Sequence, residues 1–101
     1  MSSKPLKVVI KKSSKPEKKL QATFSYPETT RTKTINFGSA GMADYTISKD
    51  KEQRSRYLER HRKRENWNKP DTAGALSRWI LWEKPNRREA IQAYKKRFNL
   101  S

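Results

Sequence analysis

The chain has 101 residues with 25 Lys and Arg against 10 Asp and Glu, a net charge of +15 and a pI near 10.4, which points to a polyanionic partner: nucleic acid first, anionic lipid or acidic protein after it. The absence of cysteine excludes a disulfide framework, a thiolate zinc site and a cysteine nucleophile, and no stretch approaches the roughly 20 apolar residues that a membrane helix needs. Sixteen Leu, Ile, Val and Phe, under the roughly 20% that keeps highly charged chains disordered, allow one thin-cored domain whose folding must draw on three Trp and four Tyr.

Residues 1–5 lack the apolar stretch of a secretory signal and read as a flexible N-terminus. Residues 6–37 read as three strands. Leu6, Val8 and Ile10 alternate with lysines and Val9, Leu20, Ala22, Phe24 and Tyr26 alternate with polar residues, and Ile35 and Phe37 share a face. The connectors around Pro16 and Pro27 are short and carry Ser, Thr or Lys, so a three-stranded antiparallel meander is the economical arrangement, with Lys11 and Lys12 offered on its outer side.

Residues 38–48 form a connecting loop that holds Gly38 and Gly41, two of the three glycines in the chain. A Gly-x-x-Gly pattern clamps nucleic-acid backbone in KH domains, but there it lies between helices, whereas here a strand precedes it; a turn leaving the sheet is the reading to prefer.

Residues 49–98 read as three helices packed with the sheet. The first spans Lys49 to Asn66, with Ser48 or Asp50 as its N-cap. Advancing 100° per residue puts Arg54, Tyr57, Leu58, His61 and Glu65 on the inward face and gathers Arg56, Arg60 and Lys63 nearly opposite. With only two strongly apolar residues inward, Arg54 is expected to pair with an acid or stack on an aromatic ring. Trp67 is expected to fold back as a core plug. The second helix starts at Asp71 or Thr72 and runs to Glu83; Ala73, Leu76 and Ile80, then Ala75, Trp79 and Trp82, then Leu81 make it apolar nearly all round, leaving only the strip of Gly74 and Arg78 unburied. After Pro85, Asn86 and Glu89 resemble a capping box, and Ala90, Ile91, Tyr94 and Phe98 form the inward stripe of the third helix, with Arg88, Lys95 and Lys96 outward. Strands followed by three short helices make a single α+β domain.

Catalysis has little to work with. His61 is the only histidine and faces inward, which suits packing better than general-base chemistry. The acids mostly neighbour basic residues, as helix-face ion pairs do, and a metal-dependent nuclease would need Asp44, Asp50 and Asp71 to converge. Trp79 and Trp82 are spaced as core, so Tyr26 and Tyr45, near loops, are the better candidates for an exposed base stack.

Phe37 to Thr46, Lys49-Asp50, Arg56 to Leu58, Arg60-His61, Arg64 to Trp67, Thr72 to Trp82, Lys84-Pro85 and Tyr94 to Phe98 together resemble a family of small basic proteins encoded by large nucleocytoplasmic DNA viruses of algae and amoebae. That family has no assigned biochemical activity, so the resemblance implies a viral origin and a place in the virion and infected cell, in the nucleus or a cytoplasmic viral factory. It supplies no catalytic residue.

The resulting expectation is a non-enzymatic protein that binds nucleic acid, DNA ahead of RNA, with little sequence preference and packages or condenses a viral genome. Phosphates are met by Lys11, Lys12, Arg56, Arg60, Arg62, Lys63, Arg64, Arg88, Lys95 and Lys96. No cofactor, metal, membrane or small-molecule substrate is expected. The alternative is a minor virion structural protein that binds an acidic capsid or core partner; a third reading is a DNA-processing factor or nuclease.

Overall fold

Alternating apolar and polar residues build the sheet in the computed structural model, which describes residues 5, 7–27, 30 and 32–101. The expectations for residues 1–4, for Leu6 and for part of the connector after Pro27 lie outside the described residues. Strands β1 (Lys7–Lys12), β2 (Lys18–Ser25) and β3 (Thr32–Ser39) are antiparallel in the order β1-β2-β3. Val8 lies opposite Phe24, Ile10 opposite Ala22 and Leu20 opposite Phe37, so every second residue falls on one shared face. Val8, Leu20, Ala22, Phe24 and Phe37 are buried there. On the other face Thr23 and Thr34 hydroxyls meet at 3.1 Å. The free edge of β1 is met by the C-terminus, where Val8 N donates to Ser101 O at 3.1 Å and Leu100 is buried.

Gly38 lets β3 run past Phe37. Its φ of +78° disfavours any side chain, and a Cβ there would come within 2.8 Å of Leu81 Cδ1 and 3.3 Å of Lys19 Cβ. The sheet can therefore press directly on the helical layer at this point.

The expected connecting loop contains one helical turn, α1 (Tyr45–Ser48), which starts where the Asp44 carboxylate accepts from Thr46 N and ends at Lys49 in the left-handed region, φ 55°. Helix α2 (Lys51–His61) is capped by Asp50, which accepts from Glu52 N and Gln53 N. It stops five residues before the expected Asn66. Beyond Leu58 there is no apolar residue to bury, and Glu65 is drawn back, accepting from Trp67 Nε1 at 2.9 Å and lying 3.3 Å from His61 Nδ1. Helix α3 (Ala73–Leu76) is capped by Thr72 and passes without a break into a π-helix, Ser77–Leu81. Asn86 caps α4 (Arg87–Arg97) by accepting from Glu89 N, which is the N-cap half of the expected capping box. The architecture is α+β, a three-stranded meander followed by helices.

The π-turn corrects the reading of the second helix. Its wider i→i+5 spacing re-aims the side chains relative to an α-helical wheel, and Arg78, expected in the unburied strip, has a side chain only 11% exposed. Its guanidinium lies 5.1 Å from the Trp67 ring centre and 4.1 Å from that of Trp79. Trp67 is consequently no core plug; it is half-buried and covers Arg78. Ala73, also assigned to an apolar side, is exposed. Leu76, Ile80, Leu81 and Trp82 are buried as expected, and with Tyr94 of α4 they close the core over the sheet.

Polar groups tie the layers together. Tyr94 donates to Pro70 O at 2.7 Å, and Tyr26 donates to Asp71 Oδ2 at 2.8 Å. Burial first, then the Asp71 carboxylate, pushes the Tyr26 hydroxyl up to about 12. Glu83 Oε1 accepts from Arg54 Nη2 of α2 and from Arg78 Nη1 of the π-helix, each at 2.8 Å. Burial disfavours the Glu83 charge, but the hydrogen bonds and charges of Arg78 and Arg54 outweigh it and hold the carboxyl below its ordinary value of 4.5.

Glu83→Gln is expected to destabilise the fold by about 1.5–3 kcal/mol at pH 7, the usual loss for hydrogen bonds to a charged group. Because the folded-state value is depressed, the stabilisation is complete above pH 4.5 and is lost as pH falls through the lower folded-state value. Urea denaturation at pH 7 and pH 3 checks this: the gap between wild type and variant should narrow at pH 3. Gly38→Ala should cost about 1–3 kcal/mol, from an unfavourable φ plus overpacking against Leu81. Gly41→Ala, with φ +82° and nothing within 4 Å, should lose less, so its thermal midpoint should fall less than that of Gly38→Ala.

Candidate nucleic-acid interface

The acids inside the fold are outnumbered by the cations they hold. Asp44, 1% exposed, accepts from Lys19 Nζ at 2.5 Å, lies 4.0 Å from Arg87 Nη2, and also takes the backbone N–H and hydroxyl of Thr46. Asp71 lies 3.6 Å from Lys33 Nζ, and Glu83 binds Arg54 and Arg78. Arg54 also donates to Trp82 O at 2.6 Å and sits 5.6 Å over the Tyr45 ring, so it both pairs and stacks as expected. Three acids thereby neutralise only part of five cations, and none of the three is left to offset the surface.

Nine of the ten cations assigned to phosphate contact are exposed: Lys11, Lys12, Arg56, Arg60, Arg62, Lys63, Arg64, Arg88 and Lys96; Lys95 is half-buried. Among the described residues none of the ten forms an ion pair. Arg56 and Arg60 stand one turn apart on α2. Lys63 follows in the turn after the helix, where Arg64 N and Glu65 N both donate to His61 O, so the expected helical stripe is a helix face continued by a turn. Cations at this end also complement the helix dipole.

Three concave regions show which cations lie together. One, of about 520 Å³, is lined by Lys12, Lys15, Lys18 and Arg87; a second, of about 380 Å³, by Lys18, Lys19, Arg60 and His61; a third, of about 460 Å³, by Lys84, Lys96 and Arg97. Lys18 joins the first two, so the β1–β2 hairpin and the end of α2 form one cationic band. Of the ten cations assigned to phosphate contact only Lys12, Arg60 and Lys96 line one of the three; Lys11, on the outer face of the sheet opposite Gln21, and Arg56, Arg62, Lys63, Arg64, Arg88 and Lys95 line none. Sequence reasoning missed Lys15, Lys18, Lys84, Arg87 and Arg97. The density of lysine between residues 11 and 19 was the available signal for the first two.

The aromatic residues are arranged differently from expectation. Tyr45 is buried, and Tyr26 is half-buried and bound to Asp71, so neither is the exposed stack proposed for them. Trp82 is buried and lies parallel to Tyr57 at 4.2 Å, and Tyr57 lies parallel to His61 at 4.1 Å. Burial, then the Glu65 charge, raises the Tyr57 hydroxyl well above its ordinary range. Trp79 is half-buried, with the guanidiniums of Arg78 and Arg97 at 4.1 and 3.7 Å from its ring centre.

Asp44, Asp50 and Asp71 do not converge as a nuclease would require: they hold Lys19, cap α2 and hold Lys33, respectively. Among the described residues no three His, Asp or Glu side chains gather as metal ligands would, and no helix is long and apolar enough to cross a membrane.

Neither the curated proteins nor the solved structures contain a match to this chain. A family model does match, over residues 8–61, which take in all of the sheet but Lys7, the Asp44 turn and α2 with Arg56, Arg60 and His61. Because that match covers more than half of the chain, the protein belongs to DUF5754, a family of unknown function.

Proposed function

We propose that this protein is a non-enzymatic nucleic-acid-binding protein that coats or condenses duplex DNA through its backbone phosphates. The observation that carries the reading is the division of charge. Internal acids are committed to Lys19, Lys33, Arg54, Arg78 and Arg87, while Arg56, Arg60, Lys63 and the hairpin residues Lys11, Lys12 and Lys15 stand exposed without an acid partner among the described residues. A surface of this kind neutralises phosphates, releases counterions and discriminates little by base sequence. The likeness of Phe37 to Phe98 to small basic proteins of large DNA viruses supports genome packaging in a virion as its setting.

A second reading, a minor structural protein of the particle that binds an acidic partner, draws on one observation. Ile47 is 58% exposed and lines the same concavity as Lys12 and Arg87, which suits a protein surface better than a phosphate backbone. Release with capsid protein instead of genome on particle disruption would favour it.

For the leading reading, log affinity for duplex DNA should fall linearly with log salt, with a slope of about 0.9 per phosphate contacted. Replacing Arg56, Arg60 and Lys63 together by Gln should reduce that slope by about three while leaving the thermal midpoint nearly unchanged. Absence of duplex binding at low salt would overturn the proposal; unfolding of the triple variant would assign those side chains to the fold instead.

A further inference from the structure

Helix α2 carries Tyr57 and His61 one turn apart, and the end of the π-helix brings Trp82 against them. The three rings form a column. Trp82 and Tyr57 are parallel within 7° at 4.2 Å, and Tyr57 and His61 within 23° at 4.1 Å. Two rings at these separations cannot share one face of a phenol, so both faces of Tyr57 are taken. Trp82 and Tyr57 are buried, whereas His61 ends the column with its side chain 39% exposed. One face of the imidazole is covered by Tyr57; the exposure therefore belongs to its opposite face and outer edge, where a further planar ring would continue the stack.

His61 is also held in orientation. Its Nδ1 lies 3.3 Å from Glu65 Oε2, and the other oxygen of that carboxylate accepts from Trp67 Nε1 at 2.9 Å. Gly74 makes room for the carboxylate: a Cβ at that position would come within 2.9 Å of Glu65 Cδ. A ring fixed in this way is pre-organised for stacking, because its rotamer freedom is already lost before a ligand arrives.

The surroundings select the ligand. His61 and Tyr57 line the cavity of about 380 Å³ between α2, β3 and α3, a volume within the range of small-molecule sites. Arg60 and Lys18 line it too, and neither forms an ion pair among the described residues; the other charged groups in the lining are already engaged, Asp44 by Lys19 and Glu65 by His61 and Trp67. Ser77 and the Gln53 amide add hydrogen-bonding groups to the wall. A planar π-face beside unpaired cations matches a base with its own phosphate.

We infer that this cavity takes one unpaired nucleobase, stacked on the open face of His61, with the adjoining phosphate met by Arg60 and Lys18. The inference rests on the nucleic-acid reading and sharpens it, since the bound strand would then carry at least one base outside the duplex stack. A stack of this kind is worth roughly 5- to 150-fold in affinity when its aromatic partner is removed.

The test compares two labelled duplexes of equal length and phosphate number by fluorescence anisotropy at one salt concentration. One carries a single extrahelical adenine, and the other an abasic residue at the same position. The full chain should bind the adenine duplex more tightly, by roughly 5- to 150-fold, and His61→Ala should bring the two affinities together. His61→Phe keeps a ring on Tyr57 and should keep most of the preference, which separates loss of the stack from loss of the fold. Equal affinities for wild type, or a preference that survives His61→Ala, would overturn the inference while leaving the phosphate-binding reading standing. No binding to either duplex, nor to an intact one, at low salt would overturn both.

Discussion

Everything on the cationic side of this protein depends on how α2 is attached. Of its eleven residues only Tyr57 is buried, with Leu58 packed beside it, an apolar footprint too small to hold a helix that carries Arg54, Arg56 and Arg60. Two polar or polarisable links make up the difference. Arg54 reaches Glu83 and the Trp82 carbonyl, and Tyr57 stacks on Trp82. Both end on the segment that follows the π-helix, so the Trp-rich helix acts as the anchor and α2 as the element it presents.

The same economy governs the acids. A small basic chain has few carboxylates, and this one places Asp44, Asp71 and Glu83 where each bridges two parts of the chain: the loop before α1 to β2, the start of α3 to β3, and the segment after the π-helix to α2. Exposed ion pairs would each contribute little, because water and salt screen them. Partly buried ones fix geometry, because leaving either partner alone in a dry site is costly. Committing Asp44, Asp71 and Glu83 inward therefore organises the fold and leaves the exposed cations in excess over the exposed acids Glu17, Asp50, Glu52, Glu59 and Glu89 as one and the same result.

Much of this was legible in the sequence because the signals were local. Period-two alternation located β1 and β2, and Ser48 or Asp50, Asp71 or Thr72, and Asn86 announced three helix starts, of which Asp50, Thr72 and Asn86 cap their own backbone. What could not be read depended on residues distant in the chain. The end of α2 at His61 follows from Glu65 being drawn to Trp67; the burial of Arg78 follows from a π-turn and from two tryptophans that an α-helical wheel does not bring together; the burial of Tyr45 follows from α1, too short to show a period. In the candidate interface the exposed cations of α2 were legible, since a narrow apolar stripe leaves the opposite face to solvent. Their union with the hairpin lysines through Lys18 was not, because it arises from tertiary packing.

The ring column joins these two aspects of the molecule. Its inner end, Trp82, belongs to the core, and its outer end, His61, stands among Arg60, Arg62, Lys63 and Arg64. Uncompensated charge at the end of α2 works against the helix through mutual repulsion, and the column with Glu83 works for it. A polyanion laid across these cations removes the repulsion, and it acts on the element that the core holds least strongly. Any ligand that binds the folded state alone stabilises it by mass action, so the attachment of α2 and the occupancy of the cationic band are thermodynamically linked. On the proposed reading the weak apolar footprint of α2 is then a consequence of its position: a helix that offers one face to an anion retains few residues with which to bury the other.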